Sequence, residues 1–134
     1  MRSGLVALLK AEATVTAIVG TAGVYIAKAP QGTRLPFIVI DQQDTEEFLS
    51  LDGTGKLRRM GFTIDCIAAT SVAAETLANA VREFIDDYTG AAGTFTVKAV
   101  ILNGESQSYD PPNDGSDVGW HLITLDVDIF YDRP

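Results

Sequence analysis

Residues 71–88 place Ala74, Leu77, Val81, Phe84, Ile85 and Tyr88 at three- and four-residue spacing. That period predicts a helix with one apolar stripe, with Glu75, Asn79, Arg82, Glu83 and Asp86 turned away from it. Thr70 or Ser71 supplies its cap, and Gly90 and Gly93 are expected to end it. On either side the period drops to two. Met60, Phe62, Ile64 and Cys66 alternate with Arg59, Gly61, Thr63 and Asp65. Further on, Phe95, Val97, Ala99 and Ile101 are expected inward, with Thr94, Thr96 and Lys98 outward. A last long strand puts His121, Ile123, Leu125, Val127, Ile129 and Tyr131 on one face and Thr124, Asp126 and Asp128 on the other. A helical stripe bracketed by alternating strands has one economical solution, in which the helix buries its stripe on a sheet.

The N-terminal third adds a second helix. Ser3 is its expected cap, and Leu5, Leu8 and Leu9 share a face. Thr14 restarts a short turn carrying Val15, Ile18 and Val19, and Val24–Ile26 is a short extended piece. Phe37-Ile38-Val39-Ile40, after Pro36, is apolar without alternation and reads as a strand covered on both faces. Residues 44–55 and 103–119 read as long polar connections, the second able to extend its strand through Ser106–Tyr109. The expected fold is α+β, a two-layer sandwich. A four-stranded, mainly antiparallel sheet carries two helices on one face, in a single domain over residues 1–134. The opposite face would show Thr63, Asp65, Lys98, Thr124, Asp126 and Asp128, with Lys98 pairing to Asp65 or Asp126.

Charge and composition narrow the function. The 134 residues carry 10 basic and 18 acidic side chains, a formal net charge of −8. Such a surface argues against general nucleic-acid binding, which displaces counterions with basic groups, and against an anionic membrane surface. One cysteine excludes an intramolecular disulfide, and one histidine excludes sites built from several imidazoles. No apolar run reaches the ~18 residues of a membrane span. The opening segment is too short in its apolar part for a signal peptide, so a soluble, intracellular protein is expected. The charge is uneven: residues 1–40 carry +3, through Arg2, Lys10, Lys28 and Arg34 against Glu12, while residues 105–134 carry −6. That polarity suits solvation, and it also suits a head-to-tail contact between copies.

Reactive constellations are sought and not found. Gly53-Thr54-Gly55-Lys56 lacks the earlier glycine of a phosphate loop, where Ser50 stands, and the following hydroxyl, where Leu57 stands. Asp110-Pro111-Pro112-Asn113-Asp114-Gly115 resembles half a calcium loop, but Pro112 fills a ligand position and His121 the place of the closing glutamate. Asp126 and Asp128 share a strand face, with only Asp65 as a third carboxylate to help hold a hydrated magnesium ion; solvated sheet charge is the simpler reading. His121 has no nucleophile beside it in sequence, and Cys66 reads as a buried small hydrophobe. No cofactor or metal is expected, and the chain reads as a non-enzyme.

Element order, size and polarity resemble a known family. The similarity runs through Leu5-Val6-Ala7-Leu8-Leu9-Lys10-Ala11-Glu12, Val15–Gly20, Val24–Ile26, Ala29–Gly32 and Leu35–Ile40. It continues with the strand ending Asp65-Cys66-Ile67-Ala68, the helix from Ser71 to Tyr88 and the closing Leu125–Phe130. Together these resemble the bacteriophage tail terminator proteins, also called tail completion or tail-to-head joining proteins. The resemblance implies a subunit of a ring, commonly a hexamer, assembled in the host cytoplasm and placed at the head-proximal end of the virion's tail. Its implied partners are its own copies, the tail tube protein and the head–tail connector or stopper, with DNA passing through the lumen unbound and no membrane involved.

Three large apolar groups in one polar connection, Phe48, Leu49 and Leu51, are candidates for an interface, because leaving them in water is unfavourable. Arg34, Tyr109, Asp114 and Asp117 are further interface candidates, and Asp65, Asp126 and Asp128 are candidates for the lumen. The competing readings are another connector, neck or tube component, a non-viral ligand-binding module, and a small hydrolase centred on His121.

Overall fold

Thr70 stops the preceding strand and starts the central helix: its extended backbone turns the side-chain oxygen onto the Ala73 amide at 3.1 Å. The computed structural model describes residues 2–20, 23–27, 35–47, 57–86, 88–110 and 119–132. Among them the chain order is α1 (Arg2–Ala11), α2 (Ala13–Val19), β1 (Val24–Ile26), β2 (Phe37–Glu47), β3 (Leu57–Ala68), α3 (Ser71–Ile85), β4 (Gly90–Ala92), β5 (Phe95–Asp110) and β6 (Trp120–Asp132). The six strands form one sheet in the order β1-β2-β3-β6-β5-β4. β1 runs parallel to β2, and every other pairing is antiparallel. The sheet curls into a half-barrel.

This corrects the expected four-stranded, two-helix sandwich. Two edge strands of three residues, β1 and β4, are added to the four long ones, and α2 is a helix in its own right, capped by Glu12. Such short strands carry too few residues to show a period. The curl also has a local cause. The ladder shifts register between Gln42 and Thr45, between Val97 and Ala99, and between Leu102 and Gly104. Each extra residue bends its strand and increases the local twist.

The bulges explain further differences. Residues 44–47 belong to β2 rather than to a loop. The shift at Lys98 flips the alternation of β5, so Val100 is buried and Ile101 is 49% exposed, opposite to the inward placement expected of Ile101. Lys98 pairs with Asp132 at 3.5 Å, not with Asp65 or Asp126. The helix ends at Ile85, capped by an extended Asp86, earlier than the glycines suggested. Gly90 opens β4, and Gly93, with φ +63°, makes the two-residue turn into β5. The extension of β5 through Ser106–Tyr109 is present.

All three helices join one core on one side of the sheet. Leu5, Leu9, Val15, Leu77, Val81 and Ile85 meet Ile38, Ile40, Phe62, Ile64, Cys66, Leu125, Val127, Ile129 and Tyr131 there. α1 touches β1 and β2 near one end of the strand order and β4 at the other. Its approach to β4 depends on Gly4, where an added methyl would stand 2.5 Å from the Ala92 carbonyl oxygen. The strand Phe37–Ile40 is covered on both sides, as its unbroken apolar run requires. Ile38 and Ile40 face the helices, while Phe37 and Val39 join Ile67 in a second cluster on the other face.

The flipped register of β5 has a direct test. Val100→Ala is expected to cost about 2 kcal/mol of unfolding free energy, whereas Ile101→Ala stays within about 0.5 kcal/mol of the parent. Urea unfolding followed by circular dichroism measures both.

Candidate functional site

Cross-strand register brings the polar residues of four strands onto the face without helices. Asp41 lies opposite Thr63, and Thr63 lies opposite Asp126. One pair further along, Val39 lies opposite Asp65, and Asp65 lies opposite Thr124. The alternation of β3 and β6 thus puts all three lumen candidates, Asp65, Asp126 and Asp128, on one surface. Their surroundings differ. Asp128 accepts from Arg59 Nη1 at 2.6 Å and from Asn103 Nδ2 at 2.8 Å, so its charge is largely answered locally. Asp126 is exposed. Asp65 is half-buried and accepts from the Thr124 hydroxyl at 2.6 Å.

Burial raises the Asp65 carboxyl above its ordinary value of 3.8. The Thr124 hydrogen bond acts against this, and the charges of Asp41 and Asp126 add to it. A shallow hollow of about 310 Å³ lies beside this patch, lined by Gln43, Gly61, Asn103, Asp126 and Asp128 among others. Gly61 contributes no side chain to fill it.

The same face is apolar toward β1. Phe37, Val39 and Ile67 pack with Tyr25, Leu35 and Leu122. Trp120 meets Phe37 edge-on at 5.5 Å between ring centres, and Tyr25 does so at 6.1 Å. The expected polar face is therefore polar over only part of its area, because the doubly covered β2 needs apolar cover here.

Tyr109 is 53% exposed at the far end of β5, its ring 4.6 Å from that of His121. Phe48, Leu49, Leu51, Arg34, Asp114 and Asp117 lie outside the described residues. On the helix side, Arg82 bridges Asn79 and Glu105 across a cleft of about 350 Å³ between α3 and β5. Sequence patterning missed this bridge, because residues 103–119 read as a polar connection that gives Glu105 no face. Cys66 is fully buried, and its thiol is pushed up to about 12, chiefly by burial and then by Asp65. It is protonated at physiological pH and is no nucleophile. Among the described residues no three His, Cys, Asp or Glu side chains are grouped to hold a metal ion, and no helix is long and apolar enough to cross a membrane.

The described residues present a helix-free sheet face, partly acidic and partly apolar, and a cleft beside α3. The chain belongs to the family of the tail completion protein gp17, whose family model matches residues 3–132. It is a structural protein of the phage tail. Its fold is also that of a chain in the solved virion of a native gene transfer agent particle. The two are 18% identical with a TM-score of 0.67, over 93% of this chain and 89% of that one. A second solved chain, 15% identical, aligns over 96% of this chain and 95% of its own with a TM-score of 0.46. No curated protein matches.

The Asp65 environment carries a pH signature. Because its carboxyl is raised on folding, the ionised form opposes the fold, and that opposition is relieved as pH falls through the raised value toward 3.8. Asp65→Asn keeps an acceptor for Thr124 and removes the charge. Its melting temperature is expected to exceed the parent's at pH 7, and the difference to close below about pH 3.8. Calorimetry across pH 3–8 checks this.

Proposed function

We propose that the protein closes into a ring of six copies on the head-proximal end of the tail tube. There it stops tube growth and offers a docking surface to the head connector. The observation that carries this reading is the family match from α1 through β6. The mechanism is geometric: one face of the ring matches the last ring of the tube, and the other offers no equivalent surface for a further ring. No covalent step is needed, and the reading is of a non-enzyme that works in the assembled virion.

Charge polarity supports a head-to-tail contact. The basic N-terminal third, with Arg2, Lys10, Lys28 and Arg34, meets the acidic stretch from Glu105 onward in the next copy. Arg34, Tyr109, Asp114 and Asp117 belong to that contact in this reading, with Phe48, Leu49 and Leu51 buried in the assembly. Native mass spectrometry with negative-stain imaging is expected to find six-copy annuli binding the ends of preformed tubes. Reversing the four basic residues to glutamate is expected to abolish the annuli. Annuli that persist in this variant would remove the charge pairing, and solitary particles of the parent chain, both free and in virions, would remove the ring.

The helix-free face lines the lumen in this reading. Asp41, Asp65 and Asp126 then present negative charge to passing DNA, and phosphates repelled by the wall do not stick. Asp128, held by Arg59, contributes less. Assembled Asp126→Lys rings are expected to retain duplex DNA in a salt-sensitive way at about 50 mM salt, where the parent retains none. Fluorescence anisotropy reads the difference, and equal behaviour of the two rings would move this face to the outer wall.

A further inference from the structure

β4 covers only Phe95–Val97 of β5. Beyond Val97, the outer edge of β5 has no strand partner among the described residues. Long open edges invite strand addition, and proteins blunt them with lysine, proline or bulges. The first part of this edge is blunted so, with Lys98 at one bulge and Asn103 at the next. From Gly104 to Asp110 there is no proline, no lysine and no register shift. Residues 103–109 are all exposed.

We propose that Gly104–Asp110 pairs antiparallel with the same segment of a second copy, about a two-fold axis at Gln107. In that register all seven residues are paired. Gln107 meets its counterpart, Glu105 meets Tyr109, Ser106 meets Ser108 and Gly104 meets Asp110. No two like charges stand opposite one another, and Arg82 already holds Glu105 within its own chain. The two Glu105 side chains fall about 13 Å apart along the ladder, beyond the ~8–10 Å screening length. Joining this segment instead to residues 41–47 of a neighbour's β2 would set it against Asp-Gln-Gln-Asp-Thr-Glu-Glu, acid facing acid. The two-fold axis keeps the helices of both copies on one side, so the two acidic faces become one surface. Such a contact closes at two copies. It shares Glu105 and Tyr109 with the head-to-tail contact of the proposed ring, so a copy makes one contact or the other, and it covers the open edge of the free chain.

The test is a disulfide placed on the axis. Directly opposed residues of an antiparallel pair have Cα atoms about 4.5–5.5 Å apart, within disulfide reach. Purified Gln107→Cys under mild oxidation is expected to give a linked dimer as its main species. Val72→Cys, on the exposed side of α3 at 70% exposure, is expected to stay unlinked. Buried Cys66 gives no background. Gln107→Lys, which sets two lysines face to face, is expected to weaken the parent dimer at least tenfold by analytical ultracentrifugation. Cross-linking of Gln107→Cys no faster than that of Val72→Cys overturns the proposal, as does a parent chain with no two-copy species. Six-copy rings without the cross-link would overturn this contact and leave the ring standing. A parent chain that gives a two-copy species and no rings, with Gln107→Cys cross-linking, would support this contact and remove the ring.

Discussion

The seat of α1 inside the curled sheet is the contact on which the rest of the structure depends. A flat six-stranded sheet would hold β1 and β4 five strands apart, and no ten-residue helix would reach both. α1 touches both, because bulges in β2 and β5 bend the sheet around it. Leu5 and Leu9 fill the interior of the bend, and Gly4 lets the helix backbone approach Ala92. The same curl turns the polar face into one broad surface free of helices.

That surface has two halves with different physics. Near β1, aromatic rings and Ile67 cover β2 and leave little for water to hydrate. Along β3 and β6, carboxylates alternate with threonines, some answered by Arg59 or Asn103 and one, Asp65, held against its own desolvation. Among the described residues this half carries Asp41, Asp65, Asp126 and Asp128 against Arg59.

Much of this was legible in one dimension. The stripe of α3, the alternation of β3 and β6 and the double cover of Phe37–Ile40 follow from side-chain period and hydrophobicity, which act locally. The acidic candidates Asp65, Asp126 and Asp128 were placed on one face correctly for the same reason. The failures cluster where local signal is weak. Three-residue strands such as β4 have no period, and a bulge like that at Lys98 leaves no mark on composition yet reverses the side chains up to the next bulge at Asn103. The Arg82–Glu105 bridge was hidden because residues 103–119 read as a polar connection with no assigned face.

The sequence by itself determined the buried faces of α3, β3 and β6, and the family. Burial of apolar surface is favourable wherever the chain goes, so a periodic pattern commits its residues before any fold is chosen. Only the tertiary structure decided the number of strands, the parallel pairing of β1 and the curl around α1. It alone left Gly104–Asp110 open. Those features depend on contacts between residues far apart in the chain, whose energies are set by register and close approach and are written in no single segment.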